Sequence, residues 1–147
     1  MGNQKGFTLV ELVLTLAVLA IVAVIAIPAF QRYAVNGNLK AAGRDIASDI
    51  ALLKERALAD NRMYQMNLNL GNNSYTLQQC NAPGSPCANW NTIQVKNLSL
   101  YASDIRFDSA QTIVTNYVIQ PRGTATPGAI VLRNSRNSQG TITIFVT

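Results

Sequence analysis

The sequence predicts an α+β fold, in which one long N-terminal helix packs on a mainly antiparallel β-sheet domain. Helical periodicity runs through about the first 60 of the 147 residues. After about Arg62 apolar and polar residues alternate instead, as they do in half-buried strands. Because the helix precedes all six or seven predicted strands, the order of elements is typical of an α+β domain.

The first predicted element is an apolar helix over residues 7–30, which follows a short polar leader, residues 1–6. Glu11 is the only charged residue among these 24. At about 1.5 Å per residue the helix is roughly 36 Å long, enough to cross a hydrocarbon core of about 30 Å. A secretory signal matches poorly, because its apolar core is shorter and ends at a small-residue cleavage site. An acid within a spanning helix is costly, so Glu11 indicates a function.

The start of this helix resembles the prepilin processing motif of type IV pilins and type II secretion pseudopilins. The matching residues are Lys5-Gly6-Phe7-Thr8-Leu9-Val10-Glu11-Leu12. The resemblance implies that a prepilin peptidase cleaves between Gly6 and Phe7 and that the new N-terminus of Phe7 is methylated. It also implies that Glu11 pairs with the N-terminus of a neighbouring subunit during assembly, and Pro28 lies where the family has its helix-breaking proline. The alternative is a plain membrane anchor, in which Glu11 has no role.

The same resemblance implies where the protein is found and what it binds. Before assembly it is a single-pass protein of the inner membrane with a periplasmic globular domain, and afterwards it is part of a pilus or pseudopilus at the cell surface. Its expected partners are other pilins or pseudopilins, bound through the N-terminal helix, together with the prepilin peptidase and the inner-membrane assembly platform. No cofactor is expected.

Residues 31–60 are predicted to continue the helix as an amphipathic segment that enters the globular domain. Apolar residues recur at steps of three and four and form one stripe. The stripe consists of Leu39, Ala42, Ile46, Ile50, Leu53 and Ala57. The charged residues, Asp49 among them, are assigned to the opposite, polar face. Pro28 removes a backbone donor, so a kink is expected there, and Gly37 is a second weak point. By the family resemblance the chain between these two residues can stretch or melt during filament assembly; the simpler alternative is a bent helix.

Residues 61–147 are predicted to form the β-rich globular domain. Gly71-Asn72-Asn73 is a turn, residues 121–128 form a loop, and a closing hairpin surrounds residues 134–140. The predicted strands are 63–70, 75–79, 92–96, 105–107, 112–119, 129–133 and 141–146.

Cys80 and Cys87 flank a short loop that is rich in proline and glycine. In a chain that the processing motif places outside the cytoplasm, such a pair is most simply a disulfide. The spacing is also compatible with two metal ligands, although two thiolates without histidine make a poor metal site.

The composition argues against an enzyme. Histidine is absent, which removes the commonest general base and the commonest metal ligand. The glycines form no phosphate-binding loop. Asp104 and Asp108 are spaced like a helical pair but lie in a strand-like region without a titratable basic partner.

The C-terminal region resembles the FimT/FimU/GspH-type branch of the family, through residues 118–123 and 128–132. The resemblance implies a minor pilin that primes or caps assembly of a type IV pilus; the alternative is the H-type pseudopilin of a type II secretion system. Some FimT-like members instead bind DNA in natural transformation through a Gly-Arg-x-Arg element. The corresponding residues 140–143 hold no arginine, so DNA contact would depend on the net charge of +5 and on Arg133 and Arg136 in the hairpin loop.

Overall fold

The computed structural model of the chain describes residues 6–83 and 86–145, which form one α-helix, one short 3-10 helix and seven strands. The leader residues 1–5, two residues of the cysteine loop (Gly84 and Ser85) and Val146, which was predicted to end the last strand, lie outside the described residues. The elements are α1 (Leu9–Asp60), β1 (Tyr64–Asn69), β2 (Ser74–Cys80), β3 (Trp90–Asn97), the 3-10 helix (Leu98–Leu100), β4 (Arg106–Phe107), β5 (Asn116–Ile119), β6 (Gly128–Arg133) and β7 (Gln139–Ile144).

The chain divides into two compact units, Met1–Ala34 and Val35–Thr147. Helix α1 is continuous through Pro28 and Gly37, so the two helical segments predicted from the sequence belong to one helix. The kink at Pro28 stays a prediction. The helix ends at Asp60 because Asn61 adopts the left-handed conformation (φ 51°), which commonly terminates helices.

Within the second unit, the predicted apolar stripe of α1 is the face that packs into the core. Five of its six residues are buried, and Ile50 is partly buried. Asp49 is also buried, at 6% exposure. The assignment of Asp49 to the polar face is therefore wrong, because a cation and a tyrosine from the strands reach it.

The strands form two sheets rather than a single one, and both are antiparallel. The order is β3-β2-β1-β5 in the first sheet and β4-β6-β7 in the second. In the first sheet Tyr64 of β1 lies opposite Gln79 of β2 and Ile119 of β5. In the second, β6 and β7 make the predicted closing hairpin, with Ile130 opposite Ile142. Apolar side chains of both sheets and of α1 share one core.

The strand predicted over residues 112–119 is shorter than expected, because β5 covers only Asn116–Ile119. The N–H of Thr112 donates to the C=O of Asp108 at 2.8 Å, and its hydroxyl accepts a hydrogen bond from the N–H of Val131 at 3.0 Å. These contacts hold Thr112 at the end of a turn, and Ile113 is 88% exposed. The high β propensity of residues 112–114 is outweighed by the hydrogen bond between Thr112 and Val131, which the sequence pattern does not reveal.

Cys80 and Cys87 form a disulfide, as predicted, and it closes the loop that follows β2. Replacing both cysteines with alanine should lower the free energy of unfolding by about 2 kcal/mol, because the cross-link restricts the unfolded chain. Urea denaturation of the full chain in detergent, followed by circular dichroism, measures the change. Reduction of the parent chain with dithiothreitol is the matched control and should cause a similar loss. Equal unfolding midpoints for the parent and the double variant would contradict the expectation.

Candidate functional site

The predicted processing site lies in non-helical backbone just before α1. Gly6 and Phe7 are both exposed, and the helix begins at Leu9. The peptide bond between Gly6 and Phe7 therefore lies in exposed backbone outside the helix. The prediction that it is cleaved rests on the sequence motif, and the geometry is compatible with it.

Thr8 caps the N-terminus of α1. Its hydroxyl accepts a hydrogen bond from the N–H of Glu11 at 3.3 Å, and its C=O accepts from the N–H of Leu12 at 3.1 Å. A threonine followed three residues later by glutamate is the sequence pattern of a capping box. Glu11 therefore lies in the first turn of the helix, where a negative charge is favourable.

The first unit presents an uncovered apolar surface. Every large apolar side chain from Phe7 to Phe30 is at least 54% exposed. Helix α1 is long and apolar enough to span a membrane, judged by length and composition. An exposed apolar surface of this extent needs a lipid or protein environment. Pro28 lies within it and lacks the N–H that would bond to the carbonyl of Val24.

In the second unit, five polar side chains form a cluster between α1 and the first sheet. We call it the Lys96 cluster; its members are Asp45, Asp49, Tyr75, Lys96 and Tyr101. Lys96 Nζ lies 2.9 Å from Asp45 Oδ2 and 2.8 Å from Asp49 Oδ2. The hydroxyl of Tyr75 donates to Asp49 Oδ2 at 2.7 Å, and the hydroxyl of Tyr101 donates to Asp45. The buried carboxylate of Asp49 is therefore both paired with a cation and hydrogen-bonded, as a buried charge requires.

The contacts in the Lys96 cluster shift the pKa values of Asp45, Tyr75, Lys96 and Tyr101. The hydrogen bond from Tyr101 lowers the pKa of Asp45. Burial alone would lower the pKa of Lys96, but its hydrogen bonds to Asp49 and Asp45 outweigh burial and raise it. Burial, with the bond to Asp45, raises the pKa of Tyr101 to about 12, and burial together with Asp49 raises that of Tyr75. The charged form of Asp45 and the protonated forms of Lys96, Tyr75 and Tyr101 are thus favoured.

Stability should therefore fall at alkaline pH. For Lys96 and Tyr101 the pKa is higher in the folded chain than in the unfolded chain, where a tyrosine has a pKa near 10. The unfolded chain releases these protons first, so their contribution is complete below about pH 10 and is lost as the pH rises toward about 12. The thermal unfolding midpoint, measured from pH 7 to pH 11.5, checks this. Tyr101→Phe should flatten the fall, and a midpoint constant over the whole range would contradict the expectation.

The two arginines predicted to contact DNA both lie near acids. Arg133 Nη2 is 2.6 Å from Oδ2 of Asp108, which is 7% exposed. Arg136 is exposed, and it contributes to the lowered pKa of Asp104 after the larger effect of the hydrogen bond from Ser135. Arg133 is therefore paired with an acid, whereas Arg136 is an exposed cation. A DNA contact at these residues stays a prediction, with less charge available than the sequence suggested.

The long apolar helix, the capping threonine and the antiparallel sheets together define a pilin-like subunit. Residues 1–27 match the prokaryotic N-terminal methylation motif. Residues 42–147 match the family described as type II transport protein GspH, and the chain belongs to that family. Membership makes it a structural subunit of the pseudopilin and minor-pilin class rather than an enzyme. It also confirms the assignment to the FimT/FimU/GspH-type branch.

Solved structures with a similar fold agree with this assignment. One is the minor pseudopilin EpsH from the type 2 secretion system of Vibrio cholerae, with a TM-score of 0.59, 15% sequence identity and coverage of 72% of this chain and 88% of that one. A crystal structure of the same minor pseudopilin from Vibrio cholerae gives a TM-score of 0.52 at 11% identity, covering 72% of this chain and 96% of that one. At these identities the likeness concerns the fold alone. No curated protein sequence matches the chain significantly.

The structure leaves the predicted site residues in different parts of the fold and adds the Lys96 cluster. Gly6, Phe7 and Glu11 lie at or just before the start of α1, and Pro28 lies further along this helix. Cys80 and Cys87 close the loop after β2, and Arg133 and Arg136 lie at the hairpin of the second sheet. The Lys96 cluster was missed. A signal for it was available, because Asp49 falls at the three-four spacing of the apolar stripe, between Ile46 and Leu53. An acid at a core position predicts a buried partner.

Proposed function

We propose that the chain is a minor structural subunit of a pilin-like filament, namely the H-type pseudopilin of a type II secretion system. The match of residues 42–147 to the type II transport protein GspH carries this proposal. The uncovered apolar helix supports it, because such a surface is suited first to a bilayer and then to the helical core of a filament. In this proposal the helix anchors the chain in the inner membrane with the globular unit in the periplasm.

Processing then prepares the chain for assembly. A prepilin peptidase cleaves after Gly6, and Phe7 becomes a methylated N-terminus. Glu11 is exposed in the first turn of α1, and its carboxylate then pairs with the N-terminus of a neighbouring subunit, as the processing motif implies. In apolar surroundings an unpaired carboxylate is costly, and this cost favours the correct axial position of each new subunit.

Replacing Glu11 with glutamine should prevent this pairing while leaving membrane insertion intact. We expect incorporation into filaments to fall by more than about tenfold, since breaking a charge pair in apolar surroundings costs several kcal/mol. The measurement is the fraction of the chain recovered in sheared filaments compared with membranes, with intact mass reporting cleavage and methylation. Thr15→Val, on the same helix, is the control and should assemble like the parent. Equal incorporation of Glu11→Gln and parent would remove Glu11 from the mechanism.

Deletion of the gene distinguishes a role in type II secretion from a role in a type IV pilus. Stalled secretion of folded enzymes with normal surface pili supports the pseudopilin. Lost pili with normal secretion instead supports a minor pilin that primes or caps a type IV pilus, the role that the resemblance to FimT and FimU favours. If both are unchanged, the proposal fails, and DNA uptake through Arg133 and Arg136 becomes the function to test.

A further inference from the structure

An open groove of about 490 Å³ runs beside β7 in the second unit. One wall is formed by α1 between Asn36 and Ala47, and the other by residues 138–142. Leu39 and Ile142 give the groove apolar surface. Small residues of both walls keep it open, and a Cβ added at Gly43 would meet nothing within 4 Å.

The strand beside the groove has a free hydrogen-bonding edge. β7 is the last strand of its sheet and, among residues 6–83 and 86–145, pairs with β6 alone. On β6, the N–H of Val131 points away from β7 and donates to the hydroxyl of Thr112 at 3.0 Å. Val131 lies opposite Thr141, so this is a non-hydrogen-bonded pair. The N–H and C=O of Thr141 therefore point to the free edge, and by alternation so do those of Gln139 and Thr143.

Two cations stand on the helical side of the groove. Lys40 and Arg44 are exposed and one helical turn apart. The residues that line the groove include no acid, and none of the ion pairs among the described residues involves either cation. The groove thus combines unpaired backbone groups on one side with uncompensated positive charge on the other.

We propose that this groove binds an extended, acidic segment of a partner protein as an added strand on β7. The backbone of the segment would pair with the free edge, which is a common mode of peptide recognition. Lys40 and Arg44 are about 6 Å apart along the helix, close to the roughly 6.8 Å between alternate residues of a strand. Acidic side chains two residues apart therefore match the two cations. A second copy of this chain fits less well, because its net charge is +5.

The first test uses the isotope-labelled full chain in detergent micelles and two short peptides. One peptide alternates valine with glutamate, and the other alternates valine with lysine. The glutamate peptide should shift the amide signals of Gln139, Thr141 and Thr143, and the lysine peptide should not. Replacing Lys40 and Arg44 with glutamine should weaken binding of the glutamate peptide by roughly fivefold. Equal binding of the two peptides, or binding of neither, overturns the proposal.

A second test addresses the backbone edge. Thr141→Pro removes an N–H that points to the groove without removing a ladder bond to β6, so it should weaken binding about tenfold while circular dichroism stays unchanged. Thr141→Ser keeps the N–H and should bind like the parent. Unchanged binding by Thr141→Pro overturns the proposal. The same shifts on simple concentration of the chain, which would indicate a second copy, or stronger shifts with a short DNA duplex than with the peptide, also overturn it.

Discussion

Replacing Lys96 with methionine will lower the free energy of unfolding of the globular unit by about 3 kcal/mol. The substitution leaves Asp49, whose side chain is 8% exposed, as a buried carboxylate that keeps the hydrogen bond from Tyr75 but has lost its cation. Removing one member of a buried ion pair is costly because the remaining charge is not solvated. Urea denaturation of the full chain in detergent measures the loss. Lys40→Met, an exposed lysine on α1, is the matched control and should change stability by less than about 0.5 kcal/mol.

Equal losses of unfolding free energy in Lys96→Met and Lys40→Met would contradict this prediction. The Lys96 cluster would then contribute no more than a surface charge. A second variant separates charge from packing: Asp49→Leu added to Lys96→Met should recover part of the loss, because an apolar replacement of both partners leaves no unpaired charge.

Replacing Asn134 with alanine will lower the free energy of unfolding by about 2 kcal/mol. Asn134 is fully buried, and its Oδ1 accepts hydrogen bonds from the N–H groups of Arg136 at 3.1 Å and Ser138 at 2.9 Å. Its Nδ2 donates to Asn36 Oδ1 at 3.3 Å. One side chain therefore shapes the hairpin loop and ties it to α1. Thermal and urea unfolding measure the loss, with the exposed Asn89→Ala as control; similar stability of the two variants would refute this role.

Much of the fold could be predicted from the sequence because its signals are local. The three-four spacing from Leu39 to Ala57 identified the buried face of α1, and alternation identified the positions of most strands. The division into two sheets could not be predicted. Strand order depends on contacts between distant segments, such as the pairing of Tyr64 with Ile119, and no local pattern records them. A long-range contact also explains why the strand predicted over residues 112–119 is too long. Thr112 is hydrogen-bonded to Val131, which lies far from it in the sequence.

The same distinction between local and long-range signals applies to the candidate site. The processing motif is contiguous, so Gly6, Phe7 and Glu11 could be identified directly, although their roles stay predictions. The Lys96 cluster joins α1 to a strand some 47 positions later in the chain, and its pairing is a property of the folded structure. Only the acid at a core position of the helix hinted at it.

Helix α1 is attached to each sheet by a different polar contact. Asp45 and Asp49 hold it to the first sheet through Lys96, and Asn36 holds it to the hairpin of the second through Asn134. A force along this part of the helix would act on both polar contacts and on the buried apolar stripe at the same time. The two sheets would therefore not separate from the helix one after the other. The globular unit is therefore built to resist a force along the helix as a single body.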